Sequence, residues 1–220
     1  MIEAVIFDMD GVLFDTERLG LKLQLQAFRE MGRPVTEELL MRTMGVSMAS
    51  AREILLEALG RDFPYEQMVG RWTELMYEDM ALHGIPQKPG IRELLNALKA
   101  RGTKTAVATS NNRSIVENYM KLACLADEFD TVVCGDAIAQ SKPAPDIYLA
   151  AAKRLGVPPE KCMGVEDSIN GVKSVRAAGM ICVMVPDLVP FAKELSPYVD
   201  YCVPTLLDIV PLLDKKECYV

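Results

Sequence analysis

The chain has 220 residues, half of them hydrophobic and a quarter charged, and carries a net charge of −7. That length buries roughly 70% of the surface exposed by the unfolded chain, enough for one domain or a core with a smaller insert. The acidic balance argues against nucleic acid as the main partner and repels phosphorylated ligands at long range, so an anion site has to be built locally from a metal, a lysine or backbone amides.

The opening run Ile2-Glu3-Ala4-Val5-Ile6-Phe7 predicts a short buried strand that ends in Asp8-Met9-Asp10-Gly11, with a turn at Gly11. From about 16 to 86 the pattern is helical. Leu19, Leu23, Phe28 and Met31 recur at near-helical spacing up to Gly32-Arg33-Pro34. Thr36-Glu37-Glu38-Leu39 opens a second helix, Ser47-Met48-Ala49-Ser50 a third, and Pro64 a fourth that reaches about Leu82.

After Lys88-Pro89-Gly90 short apolar strands alternate with helices. The prediction is helix 91–101 closed by Gly102, strand 103–109, helix 112–122 and a strand near Thr131-Val132-Val133-Cys134. Helix 146–155 opens at Pro145 and closes at Gly156; strand 161–165, helix 168–178, strand 180–185 and a last helix around 205–214 follow. Such alternation means βαβ units and a parallel sheet, which the isolated first strand rejoins. The expected fold is α/β: a Rossmann-like, doubly wound core over 1–15 and 87–220, with a helical insert over 16–86.

The six cysteines form no C-x-x-C pair, and most lie in apolar runs, so they read as small buried hydrophobes of a reducing compartment. The opening run has no basic flank and is broken by Asp8, so a signal peptide is not expected; no apolar stretch approaches about 18 residues, the length of a membrane span. The expectation is a soluble, cytoplasmic protein.

Four constellations fall at the C-terminal ends of predicted strands, where open α/β sheets bind their ligands. Asp8 and Asp10 stand two residues apart; at about 4 Å and an effective dielectric near 20 two such charges repel by about 4 kcal/mol, so the pair calls for a cation, a shared proton or solvent. Thr109-Ser110-Asn111-Asn112 offers a hydroxyl and helix-start amides that suit an anion, although Thr, Ser and Asn are also the usual N-caps. Lys142 precedes a proline-defined helix start that holds it in place. Glu166-Asp167 supplies adjacent acids suited to Mg²⁺, of which capping explains one well and two poorly. Each has a bland explanation; all four at one edge of one sheet do not.

Asp8-Met9-Asp10-Gly11-Val12, Thr109-Ser110-Asn111, Lys142-Pro143 and Glu166-Asp167 resemble, in order, the four motifs of the haloacid-dehalogenase-like superfamily. Phe14-Asp15-Thr16-Glu17, Ser141-Lys142-Pro143-Ala144-Pro145-Asp146 and Glu166-Asp167-Ser168 resemble its β-phosphoglucomutase-like branch. The resemblance implies a Rossmann-like catalytic core, a helical cap (16–86) inserted after strand one, and Mg²⁺-dependent phosphoryl transfer. It implies Asp8 as nucleophile and Asp10 as general acid and base. Thr109, Ser110, Asn111 and Lys142 are then the phosphate-binding residues. The metal falls to Asp8, the Asp10 carbonyl, Glu166 and Asp167.

Within that superfamily the second acid and the metal acids argue against dehalogenation. Members that use a cap lysine as a Schiff base have no clear counterpart here, since Lys22 is the only lysine of the insert. β-Phosphoglucomutases carry a histidine in the first cap helix where this chain has Gly20, and an arginine where it has Met48. The expectation is therefore a phosphatase acting on a small phosphomonoester, a sugar phosphate or nucleoside monophosphate, through an aspartyl-phosphate. The alternatives are a sugar-phosphate mutase and a non-catalytic binding member. Arg18, Gly45, Val46, Ser47 and Met48 are candidates for contact with the leaving group, with hinges near Asp15-Thr16 and Pro86-Gln87-Lys88. A small phosphorylated metabolite is the expected partner; oligomeric state stays open, and a monomer is compatible with it.

Overall fold

A computed structural model describes residues 2–44, 46 and 48–214. Its sheet has six strands, all parallel, in the order β3-β2-β1-β4-β5-β6. These are β1 (Ala4–Phe7), β2 (Lys104–Ala108), β3 (Thr131–Val133), β4 (Cys162–Glu166), β5 (Ile181–Met184) and β6 (Tyr201–Cys202). β1 is fully buried, as its unbroken apolar run requires of a strand covered on both faces. Ala4 and Ile6 point into a core shared with Ala106, Ile147, Ala151, Val172 and Val175, while Phe7 on the other face meets Phe129 edge-on at 6.1 Å.

Among the described residues there are eight α-helices. α1 (Thr16–Glu30), α2 (Glu37–Met41), α3 (Met48–Leu59) and α4 (Tyr65–His83) precede β2; α5 (Ile91–Ala100) leads into it. α6 (Arg113–Leu122), α7 (Asp146–Leu155) and α8 (Ile169–Ala177) connect the later strands. The doubly wound α/β fold expected of the alternating pattern is the fold observed. The strand order reverses at β1, which places the crevice of the sheet at the C-terminal ends of β1, β2 and β4.

The chain divides into two compact units, 1–15 with 87–220, and 16–86. Within the smaller unit α1 packs on α4 through Leu23, Ala27 and Leu75, and Phe28 stacks on Phe63 at 5.4 Å. Thr36 caps α2 by accepting from the Leu39 amide. Within the larger unit, the two chain crossings lie side by side: Phe14 bridges Gln87, and the Lys88 amide donates to the Leu13 carbonyl at 2.9 Å.

Two elements differ from the expectation. The segment Leu206–Asp214 is a 3₁₀ helix rather than an α-helix, because Pro211 inside it has no N–H to donate and clashes with α geometry. β6 is two residues long, too short to leave a periodic signal. Two cysteines also depart from the buried reading. Cys134, Cys162 and Cys182 are buried, whereas Cys124 lies exposed in a turn with φ 53° and Cys202 is exposed on the edge strand. Cys218 lies outside the described residues. Among the described residues, no helix is long and apolar enough to cross a membrane.

Candidate active site

The strand ladder runs one residue past β1, where the Asp8 amide donates to the Val165 carbonyl at 2.9 Å and pins Asp8 to the sheet edge. Past it the chain must reverse at once. Gly11 takes φ +75°, and its amide donates to the Phe14 carbonyl at 2.8 Å. A β-carbon at Gly11 would fall 2.2 Å from Asp167 Oδ2, so glycine is needed both for the left-handed turn and for the approach of this carboxylate.

Lys142 arrives from the segment before α7. Its ammonium donates to Asp8 Oδ1 at 2.7 Å, to Glu166 Oε1 at 2.6 Å and to the Ala108 carbonyl at 3.1 Å, so that one cation ties the ends of β1, β2 and β4 together. Burial alone would lower the Lys142 pKa, but the carboxylates of Asp8 and Glu166 outweigh it and hold the pKa well above the ordinary lysine value. One positive charge facing two acids leaves the cluster net negative. Burial pushes the Asp8 carboxyl up to about 7, with Glu166 and Asp10 adding to the effect and Lys142 opposing it.

Glu166 has no exposed surface, and both its oxygens are engaged. Oε1 accepts from Lys142 and from the Tyr148 hydroxyl at 2.8 Å; Oε2 accepts from the amides of Asp167 and Ser168 and from Ser168 Oγ at 3.0 Å. The helix beneath it accommodates this only because residue 171 is glycine, whose β-carbon would lie 1.8 Å from Glu166 Cδ.

One carboxylate oxygen from each of Asp8, Glu166 and Asp167 lies within 4.8 Å of the others, a hard oxygen donor set of the kind that Mg²⁺ takes. Because five donors already occupy Glu166, Asp8 and Asp167 are the stronger candidates for direct ligation. Glu166 anchors the lysine and the loop that carries Asp167.

Thr109 is buried at the end of β2, where its amide extends the ladder to the Val133 carbonyl at 3.1 Å. Its Oγ1 accepts from the Asn111 amide at 3.2 Å, which still leaves the hydroxyl hydrogen to donate. Asn112 caps α6 through the Ile115 amide and Ser168 caps α8 through the Gly171 amide, so the bland reading holds for these two. Asn111 does something different: its side-chain amide donates to Asp10 Oδ2 at 2.6 Å.

Tyr148 and Gly171 are absent from the sequence-level candidates. Their signal was distance along α7 from Lys142 and along α8 from Glu166, which becomes legible only when both helices are docked on the sheet. In the smaller unit Arg18 is exposed, Val46 is 43% exposed and Met48 is 62% exposed, so Met48 is no core residue. Gly45 and Ser47 lie outside the described residues. Gly20 is buried, and its carbonyl accepts from Trp72 Nε1 at 3.0 Å. His83, the last residue of α4, is exposed and lies 3.4 Å from Asp79.

The sequence matches the family described as haloacid dehalogenase-like hydrolase over residues 5–185. The chain belongs to that family. It is an enzyme of the hydrolase class, and curated relatives carry the names of phosphatases. It is 39% identical over 183 residues to a phosphorylated carbohydrates phosphatase of Thermotoga maritima, covering 81% of this chain and 82% of that one. Among solved structures, CbbY from Rhodobacter sphaeroides in complex with phosphate is 28% identical, with a TM-score of 0.77 over 95% of this chain and 96% of that one. The β-phosphoglucomutase of Clostridium difficile is 26% identical, with a TM-score of 0.71 over 95% and 93%.

Proposed function

We propose that the chain is a Mg²⁺-dependent phosphatase of small phosphomonoesters that works through an aspartyl-phosphate on Asp8. The observation that carries this reading is the ion triad at the strand ends: Lys142 holds Asp8 at 2.7 Å and Glu166 at 2.6 Å, with Asp167 beside them. A carboxylate so held is aimed as a nucleophile, and a net-negative cluster of hard oxygen donors calls for a divalent ion before it can accept phosphate.

In this reading an Asp8 oxygen attacks phosphorus as the ester P–O bond breaks, and Asp10 gives its proton to the departing alkoxide. Water then attacks the phosphoryl group. Asp10 takes its proton back from that water, the bond to Asp8 breaks, and inorganic phosphate and free Asp8 result. Thr109 Oγ1, the Ser110 amide and Lys142 hold phosphoryl oxygens. Asp8, Asp167 and the Asp10 backbone carbonyl would hold Mg²⁺, which when bound supplies positive charge for the transferring phosphoryl oxygens.

Units 1–15 with 87–220 and 16–86 are read as catalytic core and cap. The exposed Arg18, Val46 and Met48, with Gly45 and Ser47, are the proposed leaving-group contacts. Sugar phosphates come first among substrates, on the strength of the Thermotoga relative's name.

The mutase alternative is disfavoured by Gly20. Glycine stands there where β-phosphoglucomutases carry a histidine, and its carbonyl accepts from the Trp72 indole N–H at 3.0 Å. The test is phosphate release from sugar phosphates and nucleoside monophosphates, with Mg²⁺ and with excess chelator, and with each reaction checked for isomerised sugar phosphate. Metal-dependent release supports the reading; isomer without free phosphate favours the mutase; silence across the panel contradicts both.

A further inference from the structure

We infer that Asn111 is the positioning residue for the general acid Asp10 rather than a phosphate ligand; this rests on the phosphatase reading above. Asn111 is pinned on three sides. Its amide donates to Thr109 Oγ1 at 3.2 Å, its carbonyl accepts from the Gly135 amide at 2.8 Å, and its side-chain nitrogen donates to Asp10 Oδ2 at 2.6 Å. The second contact is possible because residue 135 is glycine: a β-carbon there would lie 2.2 Å from the Ser110 carbonyl oxygen. The loop from the end of β2 therefore cannot drift, and the Asn111 side chain has a fixed origin.

The acceptor identifies the orientation of the amide. A carbonyl oxygen turned toward a carboxylate would repel it, so the nitrogen faces Asp10. A short N–H···O⁻ bond in a half-buried setting is of the stronger, charge-assisted kind and selects one rotamer of the acceptor. Asn111 thus reaches across from β2 to set the direction of a proton transfer made by a residue following β1. The backbone amide of Asn111, which an anion at a helix start would use, is already taken by Thr109.

Leaving-group chemistry separates the two roles. Departure of 4-nitrophenolate needs almost no proton, whereas an alkoxide needs one; because kcat/KM reports only the steps up to that departure, an error in placing Asp10 as the acid shows in kcat/KM on alkyl phosphates and not on the aryl ester. The experiment compares wild type, Asn111→Ala and the near-isosteric Asn111→Asp, all first checked by thermal melting. For each, kcat/KM is measured on 4-nitrophenyl phosphate and on the best sugar phosphate of a panel, with the inhibition constant for inorganic phosphate.

A general acid is worth about 10² to 10⁴ in rate, and a misdirected one is expected to lose about tenfold or more of this on the sugar phosphate. The loss on the aryl ester should stay within about threefold, with phosphate inhibition moving no further. Equal losses on both esters with weakened phosphate inhibition would make Asn111 a phosphate ligand and overturn the inference, as would two variants that match wild type on the sugar phosphate. A wild-type enzyme that hydrolyses neither sugar phosphates nor nucleoside monophosphates brings down the phosphatase reading itself, a result visible before any variant is made.

Discussion

Tyr148 donates its hydroxyl to Glu166 Oε1 over 2.8 Å from a wholly buried position on α7, with its ring 5.2 Å from the Lys142 ammonium. Burial, with the nearby Glu166 and Asp8 carboxylates, holds the phenol well above its ordinary pKa, so it stays a donor. Tyr148→Phe keeps the ring and removes one of the five donors on Glu166. A hydrogen bond to a charged group is worth about 1.5–3 kcal/mol, and a loss of that size in urea unfolding is expected, with a fall in kcat. An unchanged midpoint and unchanged kcat would show that the hydroxyl contributes nothing.

Lys142 is the shared cation of two carboxylates that have left water. Lys142→Met strands both, and removal of one partner from a buried ion pair costs about 3–5 kcal/mol. The second change Glu166→Gln, made in that background, relieves the repulsion and is expected to restore part of the stability and none of the activity. Denaturant midpoints and phosphate release on the two variants check this; recovery of turnover in the double variant would remove Lys142 from the chemistry.

The glycine at 171 is a packing requirement. Its β-carbon would lie within 2.0 Å of both oxygens of the Glu166 carboxylate, so Gly171→Ala must displace a group that five donor atoms hold in place. Overpacking of this kind costs about 1–3 kcal/mol. Activity should fall with stability, because the displaced carboxylate is the one that orders Lys142 and the Asp167 loop. A fully active Gly171→Ala enzyme contradicts that linkage.

Asp8 ties stability to pH. Its carboxyl rises from an ordinary 3.8 to about 7 in the folded chain, chiefly through burial. Between these values the folded chain binds more protons than the unfolded one, so the contribution of Asp8 is fully present at the acid end and is lost as pH rises to about 7. Asp8→Asn lacks this dependence. In chelator the variant should therefore gain on wild type from about pH 4 to pH 7, with the difference level above that. A difference that does not vary with pH contradicts the account.

Much of this architecture was legible in the sequence because it rests on local signals. The apolar run before Asp8, the prolines and glycines at helix ends, and acids placed just past strands each follow from a few neighbouring residues. The parallel sheet followed from strand–helix alternation, whereas Pro211 was passed over in a segment read as an α-helix. What escaped was non-local. Nothing near Glu166 in sequence announces that Tyr148 will reach its oxygen from another helix, or that five donors will make it an anchor. Asn111 reads as one more polar residue at a helix start until β1 and β2 stand side by side and bring Asp10 to its amide.

The central claim is that phosphate passes through a covalent bond to Asp8. Rapidly quenched turnover with Mg²⁺ and the best sugar phosphate, followed by peptide mass spectrometry, tests it most directly. The account predicts one added phosphoryl group on the peptide that contains Asp8, absent in Asp8→Asn and in chelator. Full turnover by Asp8→Asn, or a phosphoryl group trapped on any other residue, would contradict it.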